Sequence, residues 1–258
     1  MRPKIIHRAE TPFGPVWVQQ RKDIRQLKFD KLAIQSEINI LHTHELRMKN
    51  LQYLMGILFF IPVPRKILLL GVGGGSLIHF VRHYLPQTHI TGIEYDAQLL
   101  EIVQEHLMLP AADEWIDYQV IDARDYISNC REQYDLIIVD IFDAEQSPKW
   151  LLQSKNMTQL KSLLTPCGAI GYNLLMDDEK EFNRFDRALS KAFAKQTLCM
   201  ETEEYENILF YALNFTVEAR SMTDYLELGL QLEQKYQLPF NDIIATAYSM
   251  NPAGEGLL

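Results

Sequence analysis

The chain has 258 residues, 47% of them apolar, and a formal charge of −9. That length and apolar content suffice for a full α/β core with a small extra module, and no run of about 18 uninterrupted apolar residues offers a membrane span. The acid excess repels phosphate backbones and the basic residues are scattered, which argues against nucleic-acid binding and for a small, cationic substrate. The N-terminus lacks the long apolar core of a signal peptide, so a soluble cytoplasmic protein is expected. Cys130, Cys167 and Cys199 lie far apart without C-x-x-C spacing and read as reduced, packed thiols.

Short β-prone runs open the chain. Strands are predicted over 5–8, 16–19, 25–29 and 32–35, with turns at Phe13-Gly14-Pro15 and Phe29-Asp30-Lys31. Residues 1–44 therefore read as a small N-terminal antiparallel β-module. Leu46, Leu51, Leu54, Met55 and Leu58 then recur near helical spacing, predicting a helix over 45–60 that Ile61-Pro62-Val63-Pro64 stops. Residues 45–64 form the connecting helix and linker of this reading, with the proline pair as the domain boundary.

From residue 65 the period changes. Strands are predicted over 66–70, 89–93, 116–120, 134–139 and 169–174, and helices over 76–83, 98–106 and 178–193. Such alternation specifies a parallel sheet covered on both faces. Runs 197–201 and 207–213, joined by the acidic turn 202–206, predict a terminal antiparallel hairpin. The fold class is thus α/β: a Rossmann-like, methyltransferase-type sheet over 65–258, mostly parallel with a C-terminal antiparallel hairpin and preceded by the β-module. Residues 222–236 read as a surface helix, and the tail to Leu258 suggests no function.

The chemistry gathers at strand ends. The turn Gly71-Val72-Gly73-Gly74-Gly75-Ser76 directly follows an apolar strand and precedes a helix. Its glycines permit close backbone approach, while the helix N-terminus offers free N–H groups to a polar ligand. Glu94, ending the second strand, is placed to accept from both ribose hydroxyls. After the third strand, Asp122 can accept from an adenine amino group and Ala123 leaves room for the flat base, though Asp122 also reads as a helix cap. Together these features suit an adenosine-bearing ligand in one crevice. The fourth strand runs into Asp140-Ile141-Phe142-Asp143-Ala144. Asp140 is positioned to orient a cationic amine and remove its proton as nitrogen attacks an electron-poor carbon, and Asp143 to hold the substrate's charge. His42 and His44 lack cysteine or carboxylate partners at zinc spacing, so no metal is expected. Trp150 reads equally as a substrate cover and as a loop anchor.

From Glu10 to Leu174 the chain resembles the spermidine synthases and other polyamine aminopropyltransferases. The resemblance is carried by Thr11-Pro12-Phe13-Gly14, Gln35-Ser36, the glycine turn, Glu94-Tyr95-Asp96, Asp122-Ala123, and Tyr134 to Asp140 with Asp143. It implies transfer of the aminopropyl group of decarboxylated S-adenosylmethionine to an amine or polyamine, without a metal and in a homodimer. It further implies that Gln35, Gly71, Gly73, Gly74, Gly75, Glu94, Asp122 and Ala123 hold the nucleoside, with Asp140 as base and Asp143 lining the amine site. Pro148 corresponds to the family's later nucleoside-side proline once one residue is inserted.

Three departures mark a divergent, synthase-like branch. Gly74 stands where the synthases carry aspartate, Lys49-Asn50-Leu51 where they carry Tyr-His-Glu, and Asp140 to Ala144 where they carry Asp-Ser-Ser-Asp-Pro. The alternatives are a methyltransferase using intact S-adenosylmethionine, whose carboxylate the bare Gly74 would tolerate, and a nucleoside-binding protein without catalysis. A nicotinamide dehydrogenase fits least, given Ser76 and the terminal hairpin.

Overall fold

The structure, a computed structural model, describes residues 2–29, 34–142, 146–202, 205–218 and 221–251. Four antiparallel strands come first: β1 (Lys4–Thr11), β2 (Gly14–Arg21), β3 (Ile24–Lys28) and β4 (Ile34–Asn39), paired in sequence order. Alternation turns Val16, Val18, Leu27, Ser36 and Ile38 inward. Because Ser36 and Ile38 continue that inward face, β4 extends beyond the predicted end at Gln35; Leu32 and Ala33, at the predicted start, lie outside the described residues.

The predicted helix over 45–60 is shorter and changes type. It forms α1 (Lys49–Met55), then a 3₁₀ turn (Gly56–Phe59). Residues before Lys49 turn without a side-chain cap. At Gly56 a Cβ atom would meet Tyr211 Oη at 2.6 Å and Ile243 at 2.9 Å. Tertiary crowding, invisible in the apolar period, therefore constrains the helix there.

The main sheet has seven strands. β5 (Lys66–Leu70), β6 (His89–Glu94), β7 (Ile116–Val120), β8 (Tyr134–Val139) and β9 (Leu164–Leu174) are parallel, and β10 (Thr197–Thr202) and β11 (Tyr205–Leu213) close one edge in the order β10-β11-β9-β8-β5-β6-β7. β11 runs antiparallel to both β9 and β10, the hairpin that the sequence predicts. Helices α2 (Ser76–Tyr84), α3 (Ala97–His106), α4 (Ala123–Asn129), α5 (Ser154–Ser162) and α6 (Glu179–Ala192) intervene. Since both faces are covered, the central strands are largely apolar on both: Leu69 and Ile138 join a cluster with Leu54 and Ile57, while Leu70 and Val139 share a cluster with Phe185 and Leu189. Each such fully buried side chain contributes about 1.5–3 kcal/mol by leaving water.

Contacts with the end of α3 help to seat the N-terminal sheet on this body. Arg25 Nη1 donates to the carbonyl of His106 at 2.7 Å, and the His7 ring packs 4.2 Å from that of His106. At the other end α7 (Met222–Tyr236) and α8 (Phe240–Met250) pack against the 3₁₀ turn and β10. Asn251 joins both backbone groups of Cys199, accepting its N–H at 2.9 Å and donating to its carbonyl at 2.8 Å. The tail as far as Asn251 thus acts as a brace. Among the described residues no helix is long and apolar enough to cross a membrane.

Candidate nucleoside and amine site

The strand order reverses at β5: its neighbours are β6 on one side and β8 on the other. Open α/β sheets form their ligand crevice at such a switch point, beyond the carboxyl ends of the strands. Here the glycine turn bridges the two neighbours. Gly71 N–H donates to the Ile93 carbonyl and Asp140 N–H to the Leu70 carbonyl, both at 2.9 Å. Gly71 adopts φ +91°, and a Cβ there would lie 2.2 Å from the Asp140 carbonyl oxygen, so this position accepts only glycine. Gly73 faces open space, whereas Gly75 abuts Leu109.

Gly74 answers to a different neighbour. A Cβ atom on it would fall 2.1 Å from Ser36 Oγ and 2.2 Å from Ser36 Cβ, and Ser36 Oγ lies 3.0 Å from Ser76 Oγ in a buried hydrogen bond. Strand β4 therefore rests directly on the turn. It brings Gln35, half-buried, to the same region. The space beside Gly74, where the resembling synthases carry aspartate, is filled by serine.

Glu94 emerges at the end of β6. Its Oε2 accepts from Val72 N–H at 3.2 Å and Gly73 N–H at 3.3 Å, and its Oε1 from Tyr95 N–H at 2.9 Å and Asp96 N–H at 3.1 Å. Burial raises its pKa above the ordinary carboxylate value, and these four donors oppose the rise. The carboxylate thus fastens the turn to β6; its four lone-pair sites are taken by backbone N–H groups, so a hydroxyl donor must share or displace one of them.

Asp122 caps α4 by accepting from Arg124 N–H at 2.8 Å, and its Oδ2 pairs with Arg124 Nη2 at 2.8 Å. The hydrogen-bonded guanidinium holds its pKa below the usual value. Arg124, which the sequence reading does not single out, also lies 5.7 Å from the centre of the Trp150 ring. Asp122 is thereby linked to the loop that carries Pro148, itself half-buried. That loop is pinned by Ser147, whose N–H donates to the Leu175 carbonyl at 3.1 Å and whose Oγ accepts from Leu175 N–H at 2.9 Å. Ala123, the first residue of α4, is buried.

Asp140 follows β8. Its Oδ1 accepts from Asn173 Nδ2 at 2.8 Å. Burial pushes its pKa up to about 6 despite this bond. Strand alternation puts Asp140 in phase with Leu136 and Ile138, Asn173 with Ala169 and Gly171, and Glu94 with Ile90 and Gly92. Leu136, Ile138, Ala169 and Ile90 belong to the cluster containing α1, so the three polar side chains share that face of the sheet. A carboxyl with a proton affinity near neutrality, one strand from the glycine turn, can exchange a proton with an amine. The sequence reading places Asn173 in the strand over 169–174 but gives it no role, although the parallel register pairing Val139 with Tyr172 makes it Asp140's cross-strand neighbour. Asp143 lies outside the described residues.

Two of the lysines are already paired with carboxylates. Lys49 Nζ lies 3.9 Å from Asp242 of α8 and 5.4 Å over the Tyr53 ring, and Lys149 bonds Glu181 at 2.9 Å and also Asp177. His44 stacks on His83 at 3.7 Å, with His42 6.2 Å away. Among the described residues no three His, Cys, Asp or Glu side chains converge as metal ligands.

A sequence model of the spermine/spermidine synthase domain matches residues 22–206. A polyamine aminopropyltransferase from Neisseria meningitidis is 27% identical over 245 residues, covering 95% of this chain and 93% of the relative. The crystal structure of a probable spermidine synthase from Corynebacterium glutamicum superposes with a TM-score of 0.77 at 16% identity, covering 99% of this chain and 96% of that one; this likeness concerns the fold. An eEF1A lysine and N-terminal methyltransferase homolog from Drosophila melanogaster is 28% identical, but over only 59% of this chain and 24% of the relative.

Proposed function

Because the chain belongs to the spermine/spermidine synthase family, we propose that it transfers the aminopropyl group of decarboxylated S-adenosylmethionine to an amine or polyamine, with Asp140 as general base. The observation that carries this reading is the half-buried Asp140 carboxyl beside the glycine turn, its pKa raised to about 6. Such a group is mostly ionised at neutral pH yet basic enough to take a proton.

In this reading the acceptor nitrogen attacks the propyl carbon bound to sulfur. The new C–N bond forms as the C–S bond breaks, the sulfur's electron pair leaves with methylthioadenosine, and the proton shed by nitrogen passes to Asp140. A sulfonium is already a good leaving group, so the protein's contribution is proximity, desolvation and proton removal. Glu94 takes the ribose hydroxyls, Asp122 the adenine amino group with Ala123 beside the base, and Gln35, Gly71, Gly73, Gly74, Gly75 and Pro148 frame the nucleoside. Asp143 is assigned the acceptor's positive charge from its place in the sequence, three residues after Asp140. Residues 1–44 serve as the β-module, 45–64 as connector and 65–258 as catalytic domain, in a cytoplasmic homodimer.

The test has two parts. Calorimetric titration with decarboxylated S-adenosylmethionine, the intact form and methylthioadenosine should show preference for the decarboxylated sulfonium. Mass analysis of reactions with a series of diamines and polyamines should show addition of an aminopropyl unit. Preference for intact S-adenosylmethionine with a methylated product would support the methyltransferase alternative, and nucleoside binding without any product would support the binding protein.

A further inference from the structure

We propose that Asn173 is a positioning residue for this transfer: its amide nitrogen fixes one oxygen of Asp140, and its carbonyl oxygen receives an N–H of the acceptor amine. The inference rests on the reading of Asp140 as base.

Three observations carry it. Asn173 is 1% exposed, and its Nδ2 lies 2.8 Å from Asp140 Oδ1. Its own Oδ1 is buried with no hydrogen-bond partner among the described residues. Buried polar atoms are normally satisfied, and a bare acceptor alongside a base suits a donor that arrives with the substrate. Finally, β9 is held by β8 on one side and β11 on the other, where Leu209 pairs with Asn173 itself. A site on such a strand is more rigid than one on a loop. Tyr172, the preceding residue, also has a partnerless buried hydroxyl, but its ring faces Phe185 on the opposite side of the sheet.

The choice of amide has chemical sense. One N–H of the acceptor would bond the second oxygen of Asp140 and another the carbonyl of Asn173, directing the nitrogen lone pair away from both. A second carboxylate in place of the amide would repel the charge on Asp140 and hold the acceptor as a protonated, non-nucleophilic ammonium. The amide N–H instead favours the ionised form of Asp140.

The experiment compares wild type with Asn173→Leu and Asn173→Ala; the second variant serves if the first does not fold. Steady-state rates with decarboxylated S-adenosylmethionine and the best acceptor are measured from pH 5 to 9, and the Asp140 carboxyl is titrated by carbon NMR without substrates. Loss of the amide should move the acid limb of kcat/KM upward by about one pH unit and lower kcat/KM for the acceptor at pH 7 by about tenfold or more, while methylthioadenosine affinity stays within about twofold. An active wild type whose variants keep both the acid limb and the acceptor kcat/KM overturns the inference. If the wild type transfers no aminopropyl group, the proposed function itself fails; an Asp140 titration unmoved by either substitution then also removes the coupling to Asn173.

Discussion

Asp140 can be tested without any substrate, through its own titration. Its folded pKa, about 6, lies above the ordinary carboxylate value of roughly 3.9, so the folded protein binds this proton more tightly than the unfolded chain. The resulting stabilisation is full below the unfolded pKa and is lost as pH rises through the folded one. At pH 8 the fold therefore carries a half-buried charge whose cost is at most about 3 kcal/mol, reduced by the residue's partial exposure. Asp140→Asn should raise the thermal midpoint at pH 8, and the gain should shrink towards pH 4. A difference that does not change with pH would contradict the burial argument. The same variant should retain nucleoside affinity while losing turnover. Asp140 was legible because a carboxylate ending an apolar strand stands out in the sequence. Its partner was not, because Asn173 lies 33 residues away inside another strand, and only the register brings the two together.

Helices followed their caps as much as their periods. Asp96 caps α3 through Gln98 N–H and Leu99 N–H, and α3 begins within one residue of its predicted start. α5 escaped notice because only Met157 and Leu160 of its nine residues are buried, too few to draw an apolar stripe. α8 is nearly the converse, an apolar helix in a tail read for function and not for packing; Phe240, Ile243, Ile244 and Ala247 are its buried residues. α7 starts with a reciprocal capping box, Ser221 accepting from Asp224 N–H while the Asp224 carboxylate accepts from Ser221 N–H. Ser221→Ala should cost about 1 kcal/mol and speed amide exchange in the first turn of α7, leaving exchange in β5 and β8 unaltered. Uniform loss of protection across the central sheet would show that α7 is not an independently fraying element.

For the whole molecule, the mostly parallel sheet and its terminal hairpin were legible because alternating apolar and amphipathic segments, and then two β-prone runs joined by a short turn, point to them. How the N-terminal sheet seats on the body was not, since that depends on contacts between residues far apart in the chain. Ser36 and Gly74 are the sharpest instance. Gly74→Asp alone would drive a carboxylate into the space of Ser36, and overpacking with an unpaired buried charge should destabilise by more than about 3 kcal/mol. Ser36→Gly alone should cost about 1–3 kcal/mol through the lost hydrogen bond to Ser76, and the double variant should be less destabilised than the sum of the two; chemical denaturation of the four proteins measures this coupling directly, and simple additivity would refute it. The contact also sets an order of events for any change in this turn. A library that varies only residues 71–76 will report failures of folding as though they were failures of recognition, and the way back to an aspartate at position 74 opens only after the strand beneath it has given up its serine.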